Sequence, residues 1–246
     1  MARNNGIAIA KGKYISFIDG DDYIHPDFIK ELYCALKETK SSISLCGVKY
    51  VNEYENIFFE DSEIKYECLT GDAIWKRYFN GDCTYDLSIS CNKLYDLNLF
   101  KKTNFPAGKL HEDVATTYKL LFDSERVSIV YKKMYYYVQH ETSIMHREMN
   151  LRRCNDIVDA FNNRNIFFRS HVPQMYYEEC KFELFNLIPY LNSKRSLRLH
   201  FVQLGRSIYS ISKKHLLWGD RVKCFFVFYF PVLYRYYKLI SIYNKF

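Results

Sequence analysis

Several framework signals are missing from this sequence. None of its eight cysteines pairs as CxxC, and no cysteine–histidine run has zinc-ligand spacing. The cysteines stand singly at 34, 46, 68, 83, 91, 154, 180 and 224. Such a scatter suits reduced core residues and argues against a disulfide scaffold. No signal peptide opens the chain, because Met1 is followed by Ala2-Arg3-Asn4-Asn5 rather than an apolar run. Both absences point to the cytoplasm. The apolar run at residues 224–234 (CFFVFYFPVLY) is eleven residues long, far short of the ~20 that span a bilayer. There is no internal repeat and no low-complexity linker. No groove-reading helix or base-stacking motif is recognisable, so the basic charge does not imply nucleic acid.

What is present is a chain able to fold. Its 246 residues are 48% hydrophobic and 26% charged, which suits a soluble globular protein with a real core. Aromatics make up 18%, with 23 Tyr and 19 Phe concentrated in the second half. Flat rings of this kind serve cores, sugars, membranes and partners alike. The formal net charge is +7, and from Lys213 onward seven Lys/Arg face one Asp. Arg221, Lys223, Arg235 and Lys238 flank the apolar run. A basic, aromatic-rich segment of that length fits a membrane interface. The competing expectation is a helix packed on the body.

The periodicity predicts helix, strand, helix and strand over the first fifty residues, the alternation of an α/β layer. Residues 3–11 read as a helix and Lys13 to Asp19 as a strand. Pro26 opens a helix carrying Phe28, Ile29, Leu32 and Leu36, and Ser42 to Val51 forms the next strand. Residues 52–68 read as a hairpin or loop. Thr70 is expected to cap a helix over 71–79. Glu112 and Asp113 are expected to open another helix, where unpaired amides favour carboxylates. Val127 to Val138 reads as two short strands. Beyond 148 the chain reads as helical, with breaks at Pro173 and near Gly219.

Two acidic clusters carry chemistry. Asp19-Gly20-Asp21-Asp22 follows a buried-looking strand, and ligands gather at the carboxyl ends of strands in open α/β sheets. Clustered carboxylates there suit a hard divalent cation holding a diphosphate. Alone, the cluster reads equally as a solvated acidic turn. Glu112-Asp113 offers a candidate general base, or a simple helix cap.

The run Ala2-Arg3-Asn4-Asn5-Gly6-Ile7 through Lys11-Gly12-Lys13-Tyr14-Ile15-Ser16-Phe17-Ile18-Asp19-Gly20-Asp21-Asp22 resembles the segment ARNxGIxxAKGxYIxFxDxDD of family 2 glycosyltransferases. Ser90-Cys91-Asn92-Lys93-Leu94-Tyr95 is similar to that family's CNKLY stretch. Leu110-His111-Glu112-Asp113 is similar to its xED segment. Tyr136-Tyr137-Val138-Gln139-His140 with Ser143-Ile144-Met145 resembles its YYYRxR…GSI segment. Four motifs in order are far more specific than any one of them, and they cover about residues 2–147.

The resemblance implies an α/β fold: an incomplete GT-A domain with a Rossmann-like mixed sheet over 1–147, then a helical C-terminal region over 148–246. It implies that Asp19 and Asp21 form the metal pair for Mg²⁺ or Mn²⁺, with Asp22 in support. Asp113 would be the general base, and Glu112 would shape the acceptor site. Arg3 and Asn4 would lie near the nucleotide, and His146 or Arg147 would meet the diphosphate. Val138 stands where the pattern often has Arg, and Glu141-Thr142 precedes Ser143 in place of Gly. Family members open with a strand–helix unit, VSVIIPVYN then VDDGSTD, that holds the donor's base and ribose. This chain starts after that unit, so the resemblance implies an N-terminally truncated member that would not transfer sugar alone. The function implied is inverting transfer from a nucleotide-sugar to a bacterial surface glycan. A lipid-linked acceptor would place the enzyme peripherally on the inner face of the membrane. The alternative is an inactive remnant or a membrane-associated acceptor-binding module.

Overall fold

A computed structural model describes residues 2–53, 55, 59, 64–80, 86–139 and 149–234. The chain divides into two compact units, residues 1–147 and 148–246. His146, Arg147 and the tail from 235 lie outside the described residues. So do residues 140–145, which hold half of the fourth motif, and Cys83. The other seven cysteines are free.

The first unit begins with α1 (Ala2–Ile9), β1 (Tyr14–Ser16), β2 (Tyr23–Ile24), α2 (Phe28–Thr39) and β3 (Ile43–Asn52). β4 (Tyr66–Thr70), α3 (Gly71–Asn80), β5 (Lys93–Asp96), α4 (Thr117–Asp123) and β6 (Arg126–Gln139) complete it. The sheet order is β1-β5-β3-β6-β2, with β4 also on β6. Among the described residues only β3 and β6 run parallel, and the other pairings are antiparallel. β3 is buried on both faces from Ile43 to Val48, as a central strand must be.

α2 covers one face of the sheet. Phe28, Leu32, Ala35 and Leu36 recur at helical spacing and pack against Cys46, Val48, Val130, Met134 and Tyr135. Each fully buried Leu or Phe there contributes about 1.5–3 kcal/mol.

Several local expectations are corrected. Pro26 does not open α2, which starts at Phe28, because Phe28 N–H first closes a turn onto the His25 carbonyl at 2.8 Å. The cap expected at Thr70 is present, its hydroxyl accepting from Ala73 N at 3.4 Å, and Thr70 also ends β4. Residues 127–138 lie in one long strand, β6, rather than two. The break felt in the sequence is a register shift against β3 at Gly47. A side chain at Gly47 would stand 3.0 Å from Lys133 and 3.3 Å from the Lys132 carbonyl, so the irregularity is tight enough to favour glycine. The helix expected at Glu112 begins only at Thr117. Before it, the Asp113 carbonyl accepts from Thr116 and Thr117 N–H in a tight turn.

The second unit contains α5 (Leu151–His171), α6 (Tyr176–Leu187), α7 (Arg195–Ser212) and α8 (Trp218–Tyr229), with short 3₁₀ turns at Pro173–Met175 and Ile188–Asn192. Asn150 caps α5 by accepting from Arg153 N at 2.9 Å. Gly219 lies inside the first turn of α8, so the break falls before Trp218 rather than at the glycine. α8 docks Cys224, Val227 and Phe228 into the bundle. Gly205 of α7 makes room for Phe228, whose ring would lie 2.2 Å from an added Cβ. Among the described residues no helix is long and apolar enough to cross a membrane.

Candidate active site

The acidic turn hangs from β1. Phe17, one residue past the strand, is buried against the rings of Tyr95, Phe100 and Phe105 at 5.4–5.9 Å between centroids. This anchor makes the next residues leave the sheet as a turn, closed by Asp22 N–H to the Asp19 carbonyl at 3.1 Å. Asp19 is half-exposed and Asp21 is exposed. Asp22 is tied to β6. Its Oδ2 accepts from the Tyr135 hydroxyl at 2.5 Å, and its Oδ1 accepts from Val138 N at 2.8 Å. The same hydroxyl accepts from Asp19 N at 3.2 Å. Burial raises the Asp22 carboxyl above the usual range, while Tyr135 and Val138 pull it back.

The second acidic pair reaches the same place through a long loop. Gly108 and His111 both take left-handed backbone, with φ of 71° and 58°. Asn4 of α1 clamps this loop. Its Nδ2 donates to the Phe105 carbonyl at 2.8 Å, and its Oδ1 accepts from Phe105 N at 3.1 Å. Arg3, beside it, bridges the two acidic clusters. One guanidinium nitrogen lies 3.0 Å from Asp19 Oδ1 and the other pairs with Glu112. The Arg3 guanidinium also sits 5.6 Å above the Phe105 ring. Asp113 is half-buried, and its Oδ1 accepts from Val114 N at 3.2 Å. Burial raises the Asp113 carboxyl, and Arg3 opposes the shift.

The Cys91-Asn92-Lys93 stretch is a buried clip beneath this site. Asn92 Nδ2 donates to the Cys46 carbonyl at 2.8 Å. Lys93 Nζ donates to the carbonyls of Asp86 and Ile89 at 3.0 and 2.5 Å and to Asn92 Oδ1 at 2.6 Å. Complete burial lowers the Lys93 ammonium to about 8. The clip sets Cys91 under the turn, where its sulfur and one oxygen each of Asp19 and Asp22 lie within 4.8 Å of one another.

A hard divalent cation fits part of this group. Mg²⁺ and Mn²⁺ prefer oxygen ligands. Burial pushes the Cys91 thiol up to about 12, which keeps it protonated and a poor ligand. Both Asp22 oxygens already accept from protein donors. Asp22 is therefore the anchor that holds the turn, and Asp19, half-exposed, and Asp21, exposed, are its other two carboxylates.

The structure thus brings Arg3, Asn4, Asp19, Asp22, Glu112 and Asp113 into one neighbourhood. Arg3 and Asn4 are both engaged within the protein. The sequence reading missed Tyr135, the Val138 amide and Lys93. Tyr135 stands in a run of three tyrosines, and only the pairing of β2 with β6, Ile24 opposite Tyr135, brings it to the turn.

Residues 1–105 match the model for glycosyl transferase family 2. Among curated proteins, glycosyltransferase GlyG of Streptococcus pneumoniae is 27% identical over 170 residues, which is 67% of this chain and 56% of GlyG. GlyA of the same organism is 27% identical over 175 residues, 66% of this chain and 24% of GlyA. The chain therefore spans about a quarter to just over half the length of these relatives. A solved structure of Staphylococcus aureus TarS (residues 1–349) in complex with UDP-GlcNAc superposes with a TM-score of 0.53 at 19% identity, covering 86% of this chain and 61% of that one. That likeness shows a shared GT-A-like fold. Residues 1–105, most of the first unit, are thus similar to glycosyltransferase family 2.

Proposed function

We propose that the site performs inverting, metal-dependent transfer of a sugar from a nucleotide-sugar to a glycan or lipid-linked acceptor of the bacterial surface, such as a capsule or O-antigen precursor. The enzyme would work peripherally on the inner face of the membrane. The observation that carries this reading is the Arg3 bridge, which joins the Asp19 turn to the Glu112-Asp113 pair across most of the first unit. A donor-diphosphate group and a proton acceptor must stand side by side for direct displacement. The solved TarS relative, described as bound to UDP-GlcNAc, supports a nucleotide-sugar donor.

The residues divide the work. Asp113 accepts the proton of the acceptor hydroxyl, whose oxygen bonds to the anomeric carbon as the bond to the diphosphate breaks. The leaving diphosphate keeps the electron pair. A positioned base of this kind contributes about 10²–10⁴-fold, and burial makes Asp113 more basic than an ordinary carboxylate. Glu112 and Asp19 fix Arg3 between them, and Asp22 fixes the turn. His146 or Arg147 would meet the diphosphate. Asp19 and Asp21 would hold Mg²⁺ or Mn²⁺, which would supply positive charge against the leaving group, worth several kcal/mol. A single base with no covalent intermediate inverts the anomeric centre.

The alternative is an inactive remnant or acceptor-binding module. The test incubates nucleotide-sugars, Mn²⁺ and membrane-extracted acceptor with the 246-residue chain, and with a form extended by any in-frame sequence upstream of Met1. Metal-dependent incorporation into the lipid fraction by the extended form, lost on Asp113→Asn, is the expected result. Acceptor binding without incorporation by either form would install the alternative.

A further inference from the structure

A helix on the surface of a water-soluble bundle ordinarily shows one apolar face inward and a polar face outward. α8 does not. Its inner face is apolar, with Cys224 and Phe228 fully buried. Trp218, Val222, Phe225, Phe226 and Tyr229 recur at helical spacing on another side, and that side faces water. Trp218 is 78% exposed and Phe226 49%. The stripe extends at both ends through Leu217 and Phe230, at 73% and 44%. Phe225 and Tyr229 lean partly on Tyr209 of α7.

Charge is sorted around this stripe. At 100° per residue, Arg221 and Lys223 fall on its two sides, and both are exposed. The one acid of the helix, Asp220, falls away from the stripe and pairs with Lys181 of α6 at 2.9 Å. Lys213 and Lys214 precede the helix and are exposed. Residues 235–246 add Arg235, Lys238 and Lys245 with no acid. An aromatic stripe edged by cations, with its acid turned aside, matches an anionic lipid surface in both shape of hydrophobicity and sign of charge. A protein partner of ordinary composition would not select for cations on both edges and none of the opposite sign.

We propose that this outward face of α8, from Leu217 to Phe230, docks on anionic lipid, with Trp218 and Phe226 entering the headgroup–acyl boundary and Arg221 and Lys223 meeting the headgroups. The inference deepens the membrane position in the proposed function. Its test needs no nucleotide and no turnover, so the two readings fail separately.

The sequence supplies its own probe. Of two tryptophans, Trp75 is 1% exposed and Trp218 78%, so a change of emission on adding lipid reports Trp218. Vesicles of phosphatidylglycerol mixed with phosphatidylcholine should shift the emission to the blue, and brominated acyl chains should quench it. Pure phosphatidylcholine should do neither, and raised salt should reverse the effect. Trp218→Ser with Phe226→Ser should weaken vesicle sedimentation roughly tenfold or more, as removal of two exposed aromatics predicts. Arg221→Glu with Lys223→Glu should abolish the preference for anionic lipid, and unchanged circular dichroism would show both variants folded. Unaltered emission with anionic vesicles would overturn the proposal. So would a concentration-dependent dimer that shields Trp218 without lipid, which would assign the face to a second copy of the chain.

Discussion

Both units group acidic side chains in pairs, and they put them to opposite uses. In the second unit, Glu179 and Glu183 stand one turn apart on α6, and neither has any exposed surface. Arg164 grips Glu179 with two hydrogen bonds of 2.5 and 2.9 Å. Asn165 takes one oxygen of Glu183 at 2.9 Å and accepts from the Tyr176 hydroxyl at 3.1 Å. Burial and the neighbouring Glu179 push the Glu183 carboxyl well above its ordinary range. In the first unit, Asp19, Asp21, Glu112 and Asp113 all keep contact with water. Asp22 in these clusters is held as a fastener through Tyr135 and Val138. The lesson is that a carboxylate sealed among its own donors organises a fold. One held by a single arginine or a turn keeps an edge for a ligand.

This contrast can be broken most sharply at Asp113. Asp113→Asn keeps the shape but cannot take a proton, so transfer should fall by about 10²–10⁴-fold in a transfer-competent form. The thermal midpoint should hardly move. Because burial raises Asp113 and the base must be ionised, the acid limb of the wild-type rate should lie above pH 3.8. A mild effect at Asp113 with a severe one for Glu112→Gln would exchange their roles.

Arg164→Met asks the converse question in the second unit. It leaves Glu179 buried without its cation, so denaturant titration should show a loss of about 3–5 kcal/mol. A loss under about 1 kcal/mol would mean that water reaches the pair and that the contrast is overstated.

Tyr135→Phe probes the fastener. It strips a donor from Asp22 and an acceptor from the Asp19 amide, and a cost of about 1–3 kcal/mol is expected. If the turn is held this way, the variant should also weaken Mn²⁺ binding, read by quenching or calorimetry. Unchanged stability and Mn²⁺ affinity would place the anchor elsewhere.

The smallest effect concerns Lys93. Its folded-state pKa is depressed to about 8 from 10.5, so the unfolded chain binds more protons between those values. Stability should therefore rise as pH increases from about 8 to 10.5 and stay flat in this respect below that window. Lys93→Met should remove the slope. A slope that survives the substitution would assign it to other groups.

Much of the first unit was legible along the chain. α2 follows from the spacing of Phe28, Leu32 and Leu36, and β3 from the run around Ile43 to Val51. The two acidic clusters stand out as motifs, and in the structure Arg3 contacts both. Less legible were the boundaries, as at Pro26 and Thr117. There, hydrogen bonds accepted by the His25 and Asp113 carbonyls outweigh the propensity of the next residue. The tail was read as either interfacial or packed. α8 is packed along Cys224, Val227 and Phe228, while its stripe from Trp218 faces water.

By itself, the sequence determined what depends on near neighbours. That includes the helices with their apolar spacing, the β-branched and aromatic strands, the acidic turns, and the uneven charge of the tail. The tertiary structure decided which distant residues share a site. Arg3 meets Glu112 from 109 positions away, and Tyr135 meets Asp22 from 113. Such partners are chosen by strand order, by a register shift at Gly47 and by a loop clamped through Asn4. None of these leaves a local signature, because a hydrogen bond across a sheet constrains two residues without constraining the chain between them.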